Sequence, residues 1–546
     1  MPYSTEFEFG ANILDILTTG MYTDSKVIYR EYIQNACDSI DDAVKNGIIS
    51  LDEGIIEIYT DVDSRTISIR DNGMGIKSNV FIKTLGTIAN SDKTLGDFKG
   101  FRGIGRLCGL AYCKTLVFTS KAKGENKISR MVCDAEKLRH LITQNQIQND
   151  SKLFASDVLS MITSYESEND HNIGDHWFEV SLINVNPENH ELLAKESVID
   201  YLSFVAPTPF NNNFSYRSLI YDYIRQNGLK LDEYVIKVNG EQIFKDYRTH
   251  VKTSKGEDHI FDVQFKKIFD DNNVLIAWCW YGLRTFQAVI DKDSSQRGLR
   301  LRKENIQIGD EDALQRLFKE DRGTHYFIGE IHVVSKELIP NSHRDYFNET
   351  PMRNTFEREI QAYFSDTLHR LYHAGNDFSS AVDKIDTYEK QVNNYNQKLK
   401  KGDFIDSNQR EEAKAKIEKA RKNAEDGKKK ISAMLERNKA DAESPITKVL
   451  NRIINERNID RFIPTLEDGN SPISSGDATS KNGGKVKDLP QIKKQKNNDP
   501  KHWTDRLSSV SKNDRKVISK VIGVVNAFVD SATFERILDK IEEEFK

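Results

Sequence analysis

Hydrophobic and polar positions alternate at the start of the chain and then change period. Glu6-Phe7-Glu8-Phe9 reads as a strand, with polar and apolar side chains on opposite faces. Ile13, Leu14, Ile16 and Leu17 take helical spacing over 11–19, and Gly20 ends that run. Between Ile28 and Ala43 the spacing is helical again, with Ile28, Ile33 and Ile40 facing a core and Tyr32, Ala36 and Ala43 on another side. Ile55 to Thr60 and Thr66 to Arg70 read as two strands joined by the polar turn 61–64. Leu107 to Tyr112 is a short apolar helical run. Beyond residue 190 strands and helices alternate, and Val274 to Trp280 is apolar throughout, as a buried strand would be.

From about 378 the period becomes that of heptads. Ile385, Tyr388, Val392, Tyr395 and Leu399 are followed, after Gly402-Asp403, by Ala413, Ile417, Ala420, Ala424, Gly427, Ile431 and Met434. Two such stretches around a short break predict an antiparallel coiled-coil hairpin. Residues 467–500 lose all periodicity and read as a linker or a disordered segment. Two helices close the chain, 515–528 and 534–545. Val517, Ile518, Val521, Ile522, Val524, Val525 and Phe528 need a covering surface, in this chain or in a second copy.

Certain polar residues stand out against this background. Glu31, Asn35 and Asp38 share one face of the second helix through spacings of four and three. A solvated polar stripe has the same pattern. Asp71 ends a strand and is followed by Gly73 and Gly75, which permit positive φ and a close approach of a flat ligand to the backbone. Asp71 could accept a hydrogen bond from an exocyclic amine, although such sequences also make ordinary turns. Gly100, Gly103 and Gly105 precede an apolar helical run, where free N–H groups and the helix dipole favour an anion. The spacing is neither a dinucleotide-binding fingerprint nor a P-loop.

Taken together and in this order, these segments resemble the GHKL (Bergerat-fold) ATPase superfamily: gyrase-like topoisomerases, ninety-kilodalton heat-shock chaperones, histidine kinases, MutL and MORC proteins. Phe7-Glu8-Phe9, Ile28 to Asp38, Leu85-Gly86-Thr87-Ile88-Ala89 and Gly103-Ile104-Gly105 are most similar to the heat-shock chaperones, over about residues 1–190. The resemblance implies ATP and magnesium as ligands. It makes Glu31 the general base, Asn35 the magnesium ligand and Asp38 a support of the nucleotide pocket. Asp71 would take the adenine amino group, with Gly73 and Gly75 beside it. Gly100, Arg102, Gly103, Ile104 and Gly105 would cradle phosphates, and Lys93 would reach them from a lid over about 77–106. Two departures are visible: Asn90 stands where the chaperone lid carries a lysine, and Phe178 stands where a pocket threonine is expected. Further on, Leu338 to Phe347 resembles the catalytic loop of the transducer domain. By register Arg344 is the residue that enters the nucleotide site, unless it is a surface arginine beside Asp345.

The 546 residues have room for roughly three or four domains. With 38% hydrophobic and 30% charged residues the composition is that of an ordinary globular protein, and the net charge of −5 identifies no partner. Five scattered cysteines lack metal-ligand spacing and suggest a reducing compartment. No apolar run approaches the roughly 18 residues of a membrane helix, so a cytoplasmic protein with no membrane partner is expected. Local charge is more informative. Arg297 to Gly309 reads as a strand with arginines on one face, either a solvated edge or a contact for a polyanion or another domain. The stretch 481–520 is basic, as a linker or a nucleic-acid contact.

The expected class is α+β: an N-terminal Bergerat-fold α/β sandwich over 1–190, an α/β transducer (middle) domain over 191–372, a coiled-coil hairpin over 373–445, a partly disordered linker over 446–500, and a C-terminal helical segment over 501–546. The expected function is that of an ATP-hydrolysing homodimeric clamp resembling heat-shock-type chaperones and acting on a protein client. The alternative is a MORC-like clamp on nucleic acid in genome maintenance or antiviral defence, which the basic stretches favour. A histidine kinase is not expected, because no phosphoacceptor hairpin precedes the ATPase segment; nothing independent supports a MutL-type repair ATPase.

Overall fold

The computed structural model describes residues 9–18, 24–87, 105–147, 153–459, 511–529 and 531–545. The 6–8 part of the expected first strand, the 467–500 linker and 481–510 of the basic stretch lie outside the described residues. The chain forms two compact units, one of residues 1–284 with 289–369, the other of 285–288 with 370–546. Both helices and sheets are present, as expected of an α+β protein. No helix among the described residues is long and apolar enough to cross a membrane.

An eight-stranded sheet organises the first part of the first unit. Its strands are β1 (Ile55–Asp61), β2 (Thr66–Asp71), β3 (Cys113–Lys121), β4 (Lys127–Asp134), β5 (Thr163–Asn169), β6 (Trp177–Val185), β7 (Val235–Val238) and β8 (Glu241–Gln242), in the order β5-β4-β3-β6-β2-β1-β7-β8. Among the described residues of this region the α-helices are α1 (Asn12–Thr18), α2 (Val27–Lys45), α3 (Phe81–Gly86), α4 (Ala135–Ile147), α5 (Ala155–Ile162) and α6 (Lys195–Val205). Alternation in the strands gives the sheet its inner face. Ile56, Ile58, Ile67 and Ile69 are buried in one core with Ile28, Ile33 and Ile40 of α2 and Leu138 of α4. Two features differ from the sequence expectation. The sheet continues past residue 190, since β7 pairs parallel with β1 (Ile55 opposite Val235, Ile58 opposite Val238). The run expected as a helix over 107–112 is a 3-10 segment, Gly105–Ala111. The Tyr32 hydroxyl of α2 accepts the Gly109 N–H of this segment at 3.0 Å.

The rest of this unit holds α7 (Arg217–Gln226), the two-stranded pair β9 (His250–Thr253) and β10 (Gly256–His259), and a five-stranded sheet. The latter consists of β11 (Asp262–Phe269), β12 (Leu275–Leu283), β13 (Gly298–Lys303), β14 (Ile306–Gln307) and β15 (Ile328–Val333), in the order β11-β12-β15-β13-β14. Helix α8 (Pro351–Tyr363) and the π turn Phe364–Leu368 follow. The arginine-bearing strand corrects the sequence reading. It is β13, and Arg300 and Arg302 are buried in it. Arg302 Nε lies 2.5 Å from Glu330 Oε1, and its Nη1 donates to the Asn305 carbonyl at 2.8 Å. Arg300 donates to Gln307 Oε1 at 2.7 Å and lies over the Phe204 ring. These two guanidinium groups are neither a solvated edge nor a surface for a polyanion.

In the second unit α9 (His369–Lys401) and α10 (Ser407–Asn438) form an antiparallel helical hairpin turned at Gly402, whose φ is +67°. Lys430 pairs with Asp377 at 3.1 Å, and Arg410 reaches the Tyr395 hydroxyl at 3.2 Å, so the helices run in opposite directions. Ile385, Tyr388, Val392 and Tyr395 are buried with Ile417, Ala420, Ala424, Gly427 and Ile431. A further helix, α11 (Pro445–Arg457), occupies the beginning of the stretch read as a linker; it is capped by Ser444 and buries Val449, Leu450, Ile453 and Ile454. Two helices close the unit, α12 (Lys512–Phe528) and α13 (Ser531–Glu544).

Candidate functional site

Helix α2 is the wall on which the site is built. Its apolar residues enter the core, and its polar face is almost equally enclosed: Glu31 is 7% exposed, Gln34 1% and Asp38 2%, while Asn35 is half-buried. Glu31, Asn35 and Asp38 therefore do not form a solvated stripe. Buried carboxylates at these positions need compensating partners. Tyrosines hold the helix in place. The Tyr29 hydroxyl donates to the Leu192 carbonyl, and Tyr32 donates to the Arg106 carbonyl at 3.0 Å while accepting from Gly109. Burial raises both phenols above their ordinary range, so they stay protonated and can donate.

The loop after β2 is fastened to three elements. The Asp71 carboxylate, buried, accepts the Gly73 N–H at 2.9 Å. Met74 N–H reaches the Ser39 hydroxyl of α2 at 3.1 Å, His176 Nδ1–H donates to the Gly73 carbonyl at 2.7 Å, and Ile76 N–H meets the Ser120 hydroxyl of β3 at 2.7 Å. Both glycines are forced. A Cβ on Gly73 would come within 2.2 Å of the Ser39 hydroxyl. One on Gly75, at φ +63°, would come within 2.0 Å of the Lys121 carbonyl. Lys121 itself is fully buried and pairs with Asp170. Across the sheet Phe178 sits opposite Asp71 and stacks on Phe118, so the position expected to hold a threonine presents a ring.

A turn and a distant loop complete the surroundings of Glu31. Gly105 begins the 3-10 segment, and a Cβ there would come within 2.3 Å of Glu31 Oε2. Arg106 donates to the Thr84 carbonyl at 2.7 Å and to that of Thr87. Lys93, Gly100, Arg102, Gly103 and Ile104 lie outside the described residues. From the loop before α8, Arg344 Nε reaches to 3.2 Å from Glu31 Oε1. Arg30 Nε is 3.6 Å from the same oxygen, and Arg30 Nη2 donates to the His343 carbonyl at 3.3 Å. Arg344 is thus not a surface arginine: it is mostly buried, and its backbone is left-handed at φ +55°.

Of the sequence-derived residues, Glu31, Gly105 and Arg344 meet directly; Asn35 and Asp38 share the helix of Glu31, and Asp71, Gly73 and Gly75 are fastened to it through Ser39. Sequence reasoning missed Arg30, Ser39, Ser120, Lys121 and His176. Arg30 adjoins Glu31, and an arginine beside a buried acid was the available signal; the other four declare themselves only through contacts between distant segments. Asn35 fits a magnesium ion in its half-buried position and hard amide oxygen, beside a carboxylate on the same face.

Residues 22–160 match the family described as histidine kinase-, DNA gyrase B- and HSP90-like ATPases. The chaperone protein HtpG of Paramagnetospirillum magneticum is 31% identical over 142 residues, 23% of this chain and 23% of that protein. HtpG of Mycolicibacterium gilvum is 32% identical over 99 residues, 16% of this chain and 15% of that one. The mitochondrial 75 kDa heat shock protein of Bos taurus is 34% identical over 95 residues, 16% of this chain and 13% of that protein. The chain thus spans less than a quarter of the length of these curated relatives. The likeness to the GHKL superfamily, and within it to heat-shock chaperones, holds for this N-terminal segment.

Proposed function

We propose that the chain binds ATP and hydrolyses it to ADP and phosphate, as a homodimeric clamp that couples nucleotide-driven closure of a lid and pairing of N-terminal domains to remodelling of a protein client. The observation that carries the hydrolytic part is the contact of Glu31 with Arg344, a buried acid and a guanidinium brought together from opposite ends of a compact unit. In the reaction a water oxygen attacks the γ-phosphorus and passes its proton to the Glu31 carboxylate, while the bond to the β,γ-bridging oxygen breaks and ADP leaves. Arg344 stabilises the charge gathering on the transferred group. Asp71 takes the adenine amino group, Gly73 and Gly75 give the base room, and Asp38 braces the pocket. A magnesium ion on Asn35 would supply neutralisation of the triphosphate. Gly105, with Gly100, Arg102, Gly103, Ile104 and Lys93, is proposed to hold the phosphates.

The dimer is supported by α12, where Val517, Val521 and Val524 are 62%, 55% and 60% exposed at spacings of four and three. A protein client is favoured over nucleic acid because Arg300 and Arg302 are buried inside the fold.

Hydrolysis is tested by separating binding from turnover. Glu31→Ala should bind ATP about as tightly as the unaltered protein and lose about 10²–10⁴-fold in turnover, the range for removal of a general base. Asp71→Asn should lose binding. Normal turnover in the Glu31 variant would refute the assignment.

A further inference from the structure

The hairpin of β13 and β14 carries buried polar side chains that take no part in the site described above. Its two-residue turn, Glu304-Asn305, is left-handed at both positions, with φ +52° and +61°. A glutamate rarely holds that conformation, and here its surroundings fix it. Arg302 Nη1 donates to the Asn305 carbonyl at 2.8 Å, and Arg302 Nη2 donates to the Phe204 carbonyl near the end of α6. The Asn305 side chain, fully enclosed, donates to the Asp232 carbonyl at 2.6 Å and accepts from Lys245 Nζ at 2.7 Å. Residues 232 and 245 flank β7 and β8, at one edge of the eight-stranded sheet. Between them the Tyr234 hydroxyl donates to Asp41 Oδ1 of α2 at 2.7 Å. The turn is thus fastened to the elements that hold the helix of Glu31.

The other end of the hairpin reaches the loop of Arg344. Gln307 is buried; its Oε1 accepts from Arg300 Nη1 at 2.7 Å, and its Nε2 donates to the Gly309 carbonyl at 2.9 Å. Ile308 N–H meets the Leu301 carbonyl at 2.8 Å, so this backbone still follows β13. Gly309 N–H then donates to the Arg344 carbonyl at 2.8 Å. Gly309 is left-handed at φ +67°, and a Cβ there would come within 2.6 Å of the Asp345 carbonyl, so the two loops pass in close contact. The loop of Arg344 is therefore attached, through its backbone, to a hairpin whose turn is anchored beside the eight-stranded sheet.

We propose that this hairpin is a strut between the sheet of α2 and the loop of Arg344, and that Gln307 and Asn305 are positioning residues for hydrolysis. They act through Arg344, by fixing where its backbone stands relative to α2. This rests on the hydrolytic reading of the site. A guanidinium that stabilises a transferring phosphoryl group tolerates little displacement: a misplacement of about 1 Å costs up to about 10²-fold in rate. Two buried amides at opposite ends of a tight hairpin control such a displacement without lying beside Glu31.

The full chain serves for the test, with Gln307→Glu, Arg344→Ala and the double variant, assayed well below their unfolding temperatures. A glutamate at 307 keeps the acceptor for Arg300 and loses the donor to the Gly309 carbonyl. Turnover of ATP should fall by about 10–100-fold, while a non-hydrolysable ATP analogue binds within about twofold of the unaltered protein. In the Arg344→Ala background the same change should cost nothing further, because both act on one group. Unchanged turnover in Gln307→Glu overturns the strut, as do losses that multiply in the double variant. Amide exchange at Gly309 should quicken in Gln307→Glu, and unchanged exchange overturns the strut even where turnover is too slow to read. Asn305→Asp, which keeps the acceptor for Lys245 and loses the donor to the Asp232 carbonyl, should give the same split between turnover and binding; it serves as the test if Gln307→Glu does not fold. Normal turnover in Arg344→Ala refutes the hydrolytic role of that arginine, and the strut falls with it; a loss in Arg344→Ala without one in the hairpin variants overturns the strut alone.

Discussion

His332 lies in the five-stranded sheet, stacked on Trp278 with ring centroids 4.3 Å apart and bonded to Glu330 at 3.0 Å. Burial pushes its imidazole down from 6.5 to about 4. The unfolded chain therefore takes up a proton as pH falls below its ordinary value, while the folded protein refuses one until about 4. Stability should fall with pH through that window, by on the order of 3 kcal/mol in all. Thermal unfolding between pH 7 and 4 would reveal it, and His332→Gln, which cannot titrate, should flatten the slope; an unchanged slope would assign the loss to other groups. Glu330 adds to acid lability only lower down. Burial would raise its pKa, but Arg302 and Lys245 outweigh burial and hold it well below the carboxylate range. None of this network was legible in the sequence. An arginine–leucine alternation reads as a wet face, and only pairing of β13 with β15, which sets Arg300 opposite Glu330, reveals a buried one. The polar face of α2 was legible because its spacing is local, and the resemblance already placed Arg344 and Gly105 at the nucleotide site; what the sequence could not show was their direct packing against the Glu31 carboxylate.

At the scale of the element, the hairpin of α9 and α10 was readable from its heptads, since the helical period and the small core residues fix both the face and the close approach. Gly427 marks the closest point: a Cβ there would come within 2.7 Å of the Ala381 carbonyl. Alanine would gain about 1 kcal/mol in helix propensity at an exposed site, but this site has no room for it. Gly427→Val should lower the stability of the hairpin by about 1–3 kcal/mol, as overpacking does, measured by chemical unfolding. Substitution at exposed Glu425 provides the control. Helix α11 was hidden because the polar composition that follows it dominated the reading, although Ser444-Pro445 is a good helix start. The loop 71–76 was recognised by its acid and glycines, but its attachment depends on Ser39, Ser120 and His176, which lie on three other segments.

At the scale of the molecule, the exposed valines of α12 make assembly testable. Val521→Glu should shift a dimer towards monomer in sedimentation equilibrium, with the nucleotide site unaffected; a dimer of unchanged strength would move the interface elsewhere. The sheet that begins in the segment resembling heat-shock chaperones continues past residue 190, where the sequence reading ended its first domain. The last two strands of its sheet come from 235–242, and no local pattern ties them to 55–58. That pairing sets where the protein can be cut. A fragment ending at residue 190 would strip β7 from β1 and leave Ile55–Asp61 with a row of unpaired amides at a raw edge. Such a fragment should be prone to aggregation for a reason unrelated to its nucleotide site, and an excised ATP-binding domain should extend at least through Gln242.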